Sequence, residues 1–301
     1  MRNITVLLGG SGKEREVSLN SGKATINALN ELGGFKVSTI DLPDDLNELV
    51  DQIHEQKPEV IFNCIHGPVG EDGTVQKIFN DLKIPYTHSG AEASALAMDK
   101  WKSYELFTKN SILSPKTFKV TIEEGAKCPL PYPCMVKPIN EGSSVGIDVV
   151  SSDAKWEDLV KNWTFSSESI VQEYLKHREI HVAVLDGVPL GTIEIRPKEN
   201  FSFFSYEAKY VPGEADFICP APISDTETEL AKTTALKAYQ ALGCRGLTRV
   251  DMMFDGTFFR VLELNTQPGF TATSLAPQIA KSQGISFAEL VRKMVETAQC
   301  D

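Results

Sequence analysis

Four polar residues stand out against two apolar runs: Arg249 and Asp251 in Gly246–Phe254, and Glu263 and Asn265 at the end of Phe258–Leu264. Asp255-Gly256, a dipeptide of tight hairpins, lies between the runs. The runs are therefore predicted to pair antiparallel. Residues two apart share a strand face, so one face collects Arg249, Asp251, Glu263 and Asn265. Two carboxylates and an amide offer hard oxygen donors, which suit Mg²⁺ and through it phosphate oxygens. The alternative, a surface ion-pair ladder, loses weight because the rest of both runs, Thr248 and Arg260 apart, is apolar. On this reading a buried acidic cluster needs a cation to offset the burial cost.

A second chemistry-bearing stretch is Lys137-Pro138-Ile139-Asn140-Glu141-Gly142-Ser143-Ser144-Val145-Gly146. A strand delivers one lysine, and a Gly/Ser-rich hairpin follows it. Small residues leave backbone N–H groups able to close over phosphates, with Lys137 as a point charge. The Walker order, with lysine after the glycines, is absent. Gly9-Gly10-Ser11-Gly12-Lys13-Glu14-Arg15-Glu16 lacks dinucleotide-loop spacing, and its acids would repel a pyrophosphate. Those acids suit a helix N-terminus and also a substrate ammonium; a plain capped turn is the alternative. His66-Gly67-Pro68-Val69-Gly70-Glu71-Asp72-Gly73-Thr74 follows a strand, where parallel sheets place ligands. Glu173-Tyr174-Leu175 ends a strand at a domain junction, and Glu173 there suits ribose hydroxyls. Tyr206-Glu207-Ala208-Lys209-Tyr210 lies in a long unpatterned stretch, residues 198–224, read as a lid that brings Lys209 to a transferring phosphate.

The elements that must position these residues follow from periodicity. Residues 4–8, 36–40 and 59–65 are apolar strand runs; 16–32 and 46–53 have helical spacing. This alternation predicts a parallel αβ sheet within residues 1–90. Residues 91–110 read as one long helix. Strands near 117–120, 135–137, 146–150 and 169–174, with a helix at 154–162, make residues 91–177 a second, α+β domain. Residues 178–301 form a third, with strands at 180–185, 190–195, 246–254 and 258–264 and helices at 227–242 and 287–297.

The net charge of −11 argues against nucleic acid and anionic membrane as partners. The six cysteines form no C-x-x-C pair and read as small buried hydrophobes of a reducing, cytoplasmic compartment. The N-terminal apolar run is too short for a signal segment and reads as the first strand; no run of about 18 apolar residues spans a membrane.

The motifs in this order resemble the ATP-grasp superfamily and, within it, the D-alanine–D-alanine ligase family. The matching strings are Gly9-Gly10…Glu14-Arg15-Glu16-Val17-Ser18, His66-Gly67…Gly70-Glu71-Asp72-Gly73-Thr74, Met98-Asp99-Lys100, Glu141-Gly142-Ser143-Ser144-Val145-Gly146, Tyr206-Glu207-Ala208-Lys209-Tyr210, Arg249-Val250-Asp251 and Glu263-Leu264-Asn265-Thr266…Pro268-Gly269. They span residues 9 to about 275, and seven in register are very specific. The sequence departs at Gly12, at Tyr174, and in a Glu173–Glu179 spacing one residue short.

The resemblance implies an ATP-grasp fold, an N-terminal parallel αβ domain followed by two α+β domains that sandwich ATP. It implies Lys100, Lys137, Ser144 and Lys209 on phosphates, and Glu173, Leu175 and Glu179 around the nucleoside. Asp251, Glu263 and Asn265 would hold two Mg²⁺, with Mn²⁺ as a substitute. Glu14 would meet the first D-alanine's ammonium with His66 nearby; Ser274 and Leu275 would meet the second's carboxylate. Ser143 and Tyr210 would join Glu14 in a lid-closing network, and Arg249 with the Gly269 N–H would form an oxyanion hole. The implied reaction joins two D-alanines through an acyl phosphate for peptidoglycan synthesis, in a cytoplasmic homodimer. The alternatives are a related carboxylate–amine or D-alanine–D-lactate ligase and a non-catalytic nucleotide-binding protein.

Overall fold

The structure, a computed structural model, describes residues 1–12, 14–142, 145–198 and 213–301. Ser143, Ser144, Lys209 and Tyr210 lie outside the described residues, as does Tyr206-Glu207-Ala208.

Strand β1 (Arg2–Leu8) pairs in parallel with β2 (Phe35–Asp41) on one side and β3 (Val60–Asn63) on the other. Helix α1 (Arg15–Leu32) connects β1 to β2, and α2 (Leu46–Gln56) connects β2 to β3. Every residue of β3 is buried, as expected of a strand covered on both faces. Helix α3 (Thr74–Asp81) follows the loop after β3.

The single helix expected over residues 91–110 is two helices, α4 (Ala91–Met98) and α5 (Lys100–Lys109). Asp99 between them is extended, and its side chain accepts from the Lys102 N–H at 2.9 Å. A capping aspartate can end one helix and start the next, and the shared apolar period hides the break. Lys100 thereby opens a helix, and its backbone N–H donates to the Ile139 carbonyl at 3.1 Å.

A second, antiparallel sheet has the order β4 (Thr117–Thr121), β7 (Glu168–Glu173), β5 (Cys134–Pro138), β6 (Asp148–Val150). Helix α6 (Asp153–Asn162) packs Trp156 and Leu159 into this sheet's own core. Cys128 and Cys134 place their sulfurs 3.4 Å apart in it, and all six cysteines are free thiols.

The third sheet runs β10 (Ala215–Ile218), β9 (Val188–Pro197), β8 (Arg178–Leu185), β11 (Leu247–Phe254), β12 (Phe259–Asn265). Strand β10 corrects part of the lid expected over 198–224: Ala215–Ile218 pairs with the end of β9. A four-residue edge strand beside Gly213 and Pro220 carries too little alternation to be read from sequence. The β11–β12 link is also looser than a two-residue turn. It spans residues 255–258, and Asp255 Oδ1 accepts from the N–H groups of Thr257 and Phe258. Ile180, Val182 and Val184 of β8 pack beneath α7 (Asp225–Ala241) with Ala231, Ala235 and Ala238.

The opposite face of this sheet shares a core with the first. Ile4, Val6, Leu29 and Phe62 pack in one cluster with Ala183, Leu247, Phe270 and the inner residues of α8 (Leu275–Ser282) and α9 (Phe287–Glu296). Helix α8 was not expected from the sequence; Pro277 sits in its first turn, where its missing N–H costs nothing.

Asp301 ties the same two regions together at the rim. The Gly90 N-cap of α4 has no side-chain cap of its own, and Asp301 Oδ2 accepts from the Ala91 N–H at 2.8 Å and from Asn80 at 3.0 Å. Arg245 bonds the carbonyls of Tyr86 and His88 and faces Asp301 at 3.4 Å. Burial alone would raise the Asp301 carboxyl, but these donors hold it below the usual carboxylate range. Asp301→Ala is expected to lower stability by about 1 kcal/mol, a value reduced for partial solvent exposure. Because the folded carboxyl titrates low, that contribution is present above the unfolded pKa of about 4 and disappears as pH falls through the folded value. Urea midpoints at pH 7 that do not differ between the two proteins would refute this cap.

Candidate active site

Strand register builds the centre of the site. Arg249 pairs with Asn265, and Asp251 with Glu263. A one-residue irregularity follows immediately, with Met252 opposite Val261, so Leu262 is extra. The expected cluster on one face therefore forms, at the end of the hairpin remote from its turn. On the next strand, His181 pairs with Asp251 and Ala183 with Arg249.

Arg249 grips Asp251 bidentately, Nε to Oδ1 at 2.7 Å and Nη2 to Oδ2 at 2.8 Å. Asp251 is nearly inaccessible, and His181, fully buried, stands 3.1 Å from its Oδ1. The other ring nitrogen of His181 lies 2.8 Å from Glu179 Oε1. The sequence-based claim that burial of these acids demands a metal is thus too strong: the neighbouring guanidinium already compensates Asp251. Among the described residues, no group of three His, Cys, Asp or Glu is placed to hold a metal ion. The set here has two carboxylates and one amide. Oxygen donors of this kind fit a hard divalent ion, and an ionised carboxylate keeps lone pairs beyond those Arg249 uses.

This hairpin end opens on a cavity of about 390 Å³ at the meeting of the three sheets. Glu14, His66, Lys100, Arg249, Glu263, Asn265, Gly269, Ser274 and Leu275 all line it. Glu14 occupies the N-cap position of α1 without capping it. Its carboxylate reaches between two loops: a Cβ on Gly67 would lie 2.8 Å from Glu14 Oε2, and one on Gly142 would lie 3.7 Å away. Ser274 is the N-cap of α8, so Leu275 is its first residue, and the helix start favours a carboxylate. Asn265 Oδ1 accepts from the Gln267 N–H at 2.8 Å, which fixes the turn that carries Gly269.

Lys100 and Lys137 meet in a narrow cleft between the second and third sheets, beside Val261 and Leu262. Lys100 Nζ donates to the Glu141 carbonyl, and buried Lys137 donates to Gln172 Oε1 at 2.7 Å. Glu173, Leu175 and Glu179 are not among the residues lining the main cavity. Glu173 ends β7 and accepts from the Lys116 N–H, while Leu175 and Glu179 line a separate, open cavity of about 580 Å³.

Sequence patterns alone do not single out three residues near the centre. His181 stands two residues from Glu179 on one strand face, the rule that paired Arg249 with Asp251. Ser21 stands seven residues after Glu14 on α1, hence two turns along the same side. Glu71 lies within a matched string to which the resemblance gives no role at that position; it stands 3.2 Å from His66 Nδ1, and burial pushes its carboxyl up.

Known proteins resemble this chain in sequence and in fold. A family model described as D-ala D-ala ligase C-terminus matches residues 97–296, and one described as D-ala D-ala ligase N-terminus matches residues 44–89. The chain is 44% identical to the D-alanine–D-alanine ligase of Paramagnetospirillum magneticum, over 100% of this chain and 99% of the relative. The chain belongs to the D-alanine–D-alanine ligase family.

Relatives within that family include the D-alanine–D-alanine ligase of Bartonella bacilliformis, 41% identical over 99% of this chain and 98% of the other. The crystal structure of the Bacillus anthracis D-alanine–D-alanine ligase superposes with a TM-score of 0.87 at 31% identity, covering 99% of this chain and 97% of that one. The same enzyme complexed with ATP gives 0.86 at 28%, over 99% and 97%. VanG D-Ala:D-Ser ligase from Enterococcus faecalis gives 0.83 at 28%, over 98% of both chains. The expected ATP-grasp architecture, a parallel αβ sheet with two antiparallel sheets, is the one observed. No helix among the described residues is long and apolar enough to cross a membrane.

Proposed function

We propose that the chain joins two D-alanines with cleavage of ATP to ADP and phosphate, supplying a peptidoglycan precursor. The observation that carries this reading is the cavity in which Glu14, Arg249, Glu263, Asn265 and Gly269 converge. Residues 1–90, 91–177 and 178–301 are taken as its three domains, with ATP between the second and third.

A carboxylate is a poor electrophile. One oxygen of the first D-alanine attacks the γ-phosphorus, the bond to ADP breaks, and an acyl phosphate results. Lys100 and Lys137, with Ser144 and Lys209, offset the charge spread over the phosphates. Asp251, Glu263 and Asn265 would hold Mg²⁺ or Mn²⁺, which when bound neutralises phosphate charge. Glu173, Leu175 and Glu179 are assigned to the nucleoside. Glu14 orients the first ammonium, and Ser143 and Tyr210 join it to close the site. The second D-alanine docks its carboxylate at Ser274 and the start of α8. Its amine attacks the acyl carbonyl, and Arg249 with the Gly269 N–H stabilises the developing oxyanion. Phosphate departs with the carbon–oxygen bond electrons, the amine proton is released, and the dipeptide remains.

The test is ADP release from ATP with D-alanine, with and without Mg²⁺, and with D-lactate or D-serine as second substrate. Turnover is expected with D-alanine alone and only with the divalent ion. Release that ignores D-alanine, or that requires D-lactate or D-serine, would overturn the assignment. We also assign the enzyme to the cytoplasm as a homodimer, a state that sedimentation checks.

A further inference from the structure

We infer that Ser21 is a positioning residue that fixes the Gly269 oxyanion loop from across the cavity, through a hydrogen bond to the peptide between Gly269 and Phe270. This rests on the ligase reading above and deepens it.

The buried face of α1 carries Ser18, Ser21 and Thr25 where an amphipathic helix would ordinarily carry aliphatic side chains. Burying a hydroxyl is costly unless it is bonded. Each of these three meets a different partner. Ser18 Oγ accepts from the Gly9 N–H at 2.8 Å, and Thr25 faces the Cys64 sulfur. Ser21, wholly buried, accepts from the Phe270 N–H at 3.2 Å and lies 3.0 Å from His66 Nε2.

The Phe270 amide sets the direction of one hydrogen bond in this group. A backbone N–H can only donate, so Ser21 Oγ is the acceptor in that bond. The same hydroxyl lies 3.0 Å from His66 Nε2, and His66 Nδ1 lies 3.2 Å from Glu71 Oε1, contacts in which a hydroxyl and a ring nitrogen can each donate or accept. A chain of hydrogen-bonding contacts runs from Glu71 through His66 and Ser21 to the peptide joining Gly269 and Phe270. His66 has both ring nitrogens occupied by this chain and acts through Ser21.

Gly269 has the least restrained backbone available, yet its N–H must aim at one point in the cavity. Pro268 restricts it on one side, and the Gln267 side chain anchors that flank to the Ile65 carbonyl. On the other side the Phe270 ring is packed against Phe62 and Phe287, at 5.5 and 4.9 Å between centroids. Ring packing fixes where Phe270 sits; the bond to Ser21 fixes the rotation of its peptide plane. The Gly269 N–H lies in the preceding peptide, so the bond acts on it by limiting the glycine's own backbone rotation, and a helix of the first sheet holds the loop that follows β12.

Ser21→Ala removes the acceptor and leaves the cavity lining otherwise intact. The expected result is a fall of about tenfold in kcat for dipeptide formation, the scale of one lost buried hydrogen bond, with KM for ATP unchanged. Acyl phosphate formation needs no oxyanion hole, so trapped intermediate should be lost to water, and phosphate released per dipeptide should rise above one. Ser21→Cys keeps the volume with a poor acceptor and should repeat the defect; Ser21→Thr keeps the oxygen and should restore the ratio. Unchanged kcat, or a parallel loss of dipeptide and phosphate, overturns the inference. Absence of dipeptide with the unaltered chain overturns the ligase reading instead.

Discussion

Arg249→Ala is expected to lower kcat for dipeptide synthesis by about a thousandfold, the scale of losing a main oxyanion donor, and to destabilise the fold as well. The two effects have separate origins. The guanidinium lines the same cavity as Gly269, and on the proposed mechanism it meets the charge that develops on the acyl oxygen. It also holds Asp251 through two bonds of 2.7 and 2.8 Å. Removing it leaves a carboxylate buried opposite Glu263 with its main compensating charge gone, and breaking such a pair costs about 3–5 kcal/mol. Arg249→Lys separates them. Lysine restores a positive charge but not the planar fork, so stability should recover more than rate does. Turnover by Arg249→Ala within tenfold of the unaltered enzyme would remove Arg249 from the chemistry.

The second large effect is expected from a single methyl group. Gly67 has a φ of +75°, and a Cβ there would stand 2.8 Å from Glu14 Oε2. The strained backbone costs about 1 kcal/mol in Gly67→Ala. The clash is with the far end of a flexible side chain, so Glu14 moves rather than the loop. That displaces the group assigned to the first substrate's ammonium, and a misplacement of about 1 Å can cost roughly a hundredfold in rate. KM for D-alanine should rise steeply while ATP binding stays as it was. The double variant Gly67→Ala with Glu14→Gln should lose little more than Glu14→Gln alone, since both act on one carboxylate. Additive losses in that cycle would show that Gly67 acts by another route.

The Arg249/Asp251/Glu263/Asn265 face was legible because strand alternation and an Asp-Gly turn are strong local signals, and the register confirms the pairing. The parallel first sheet was legible for the same reason. What escaped depended on contacts distant in sequence. His181 and Ser21 become meaningful only once β8 lies beside β11 and α1 lies against Phe270. The break at Asp99 and the start of α8 at Leu275 are decided by capping and by a proline in a first turn, against an unbroken apolar pattern. The extra residue at Leu262 leaves no trace in composition, yet it sets where the polar face ends.

The apolar cluster that runs from β1 and α1 into α8 and α9 has a consequence for anyone recombining members of this family. A chimaera that takes residues 1–90 from a relative transplants half of an interior, because Ile4, Val6, Leu29 and Phe62 were shaped against Phe270, Leu290 and Met294. The interchangeable module is instead the four-stranded sheet, whose interior of Cys134, Val136, Trp156 and Val171 is self-contained. Crossovers that respect this boundary should yield working hybrids; those at residue 90 need matching changes some two hundred residues downstream.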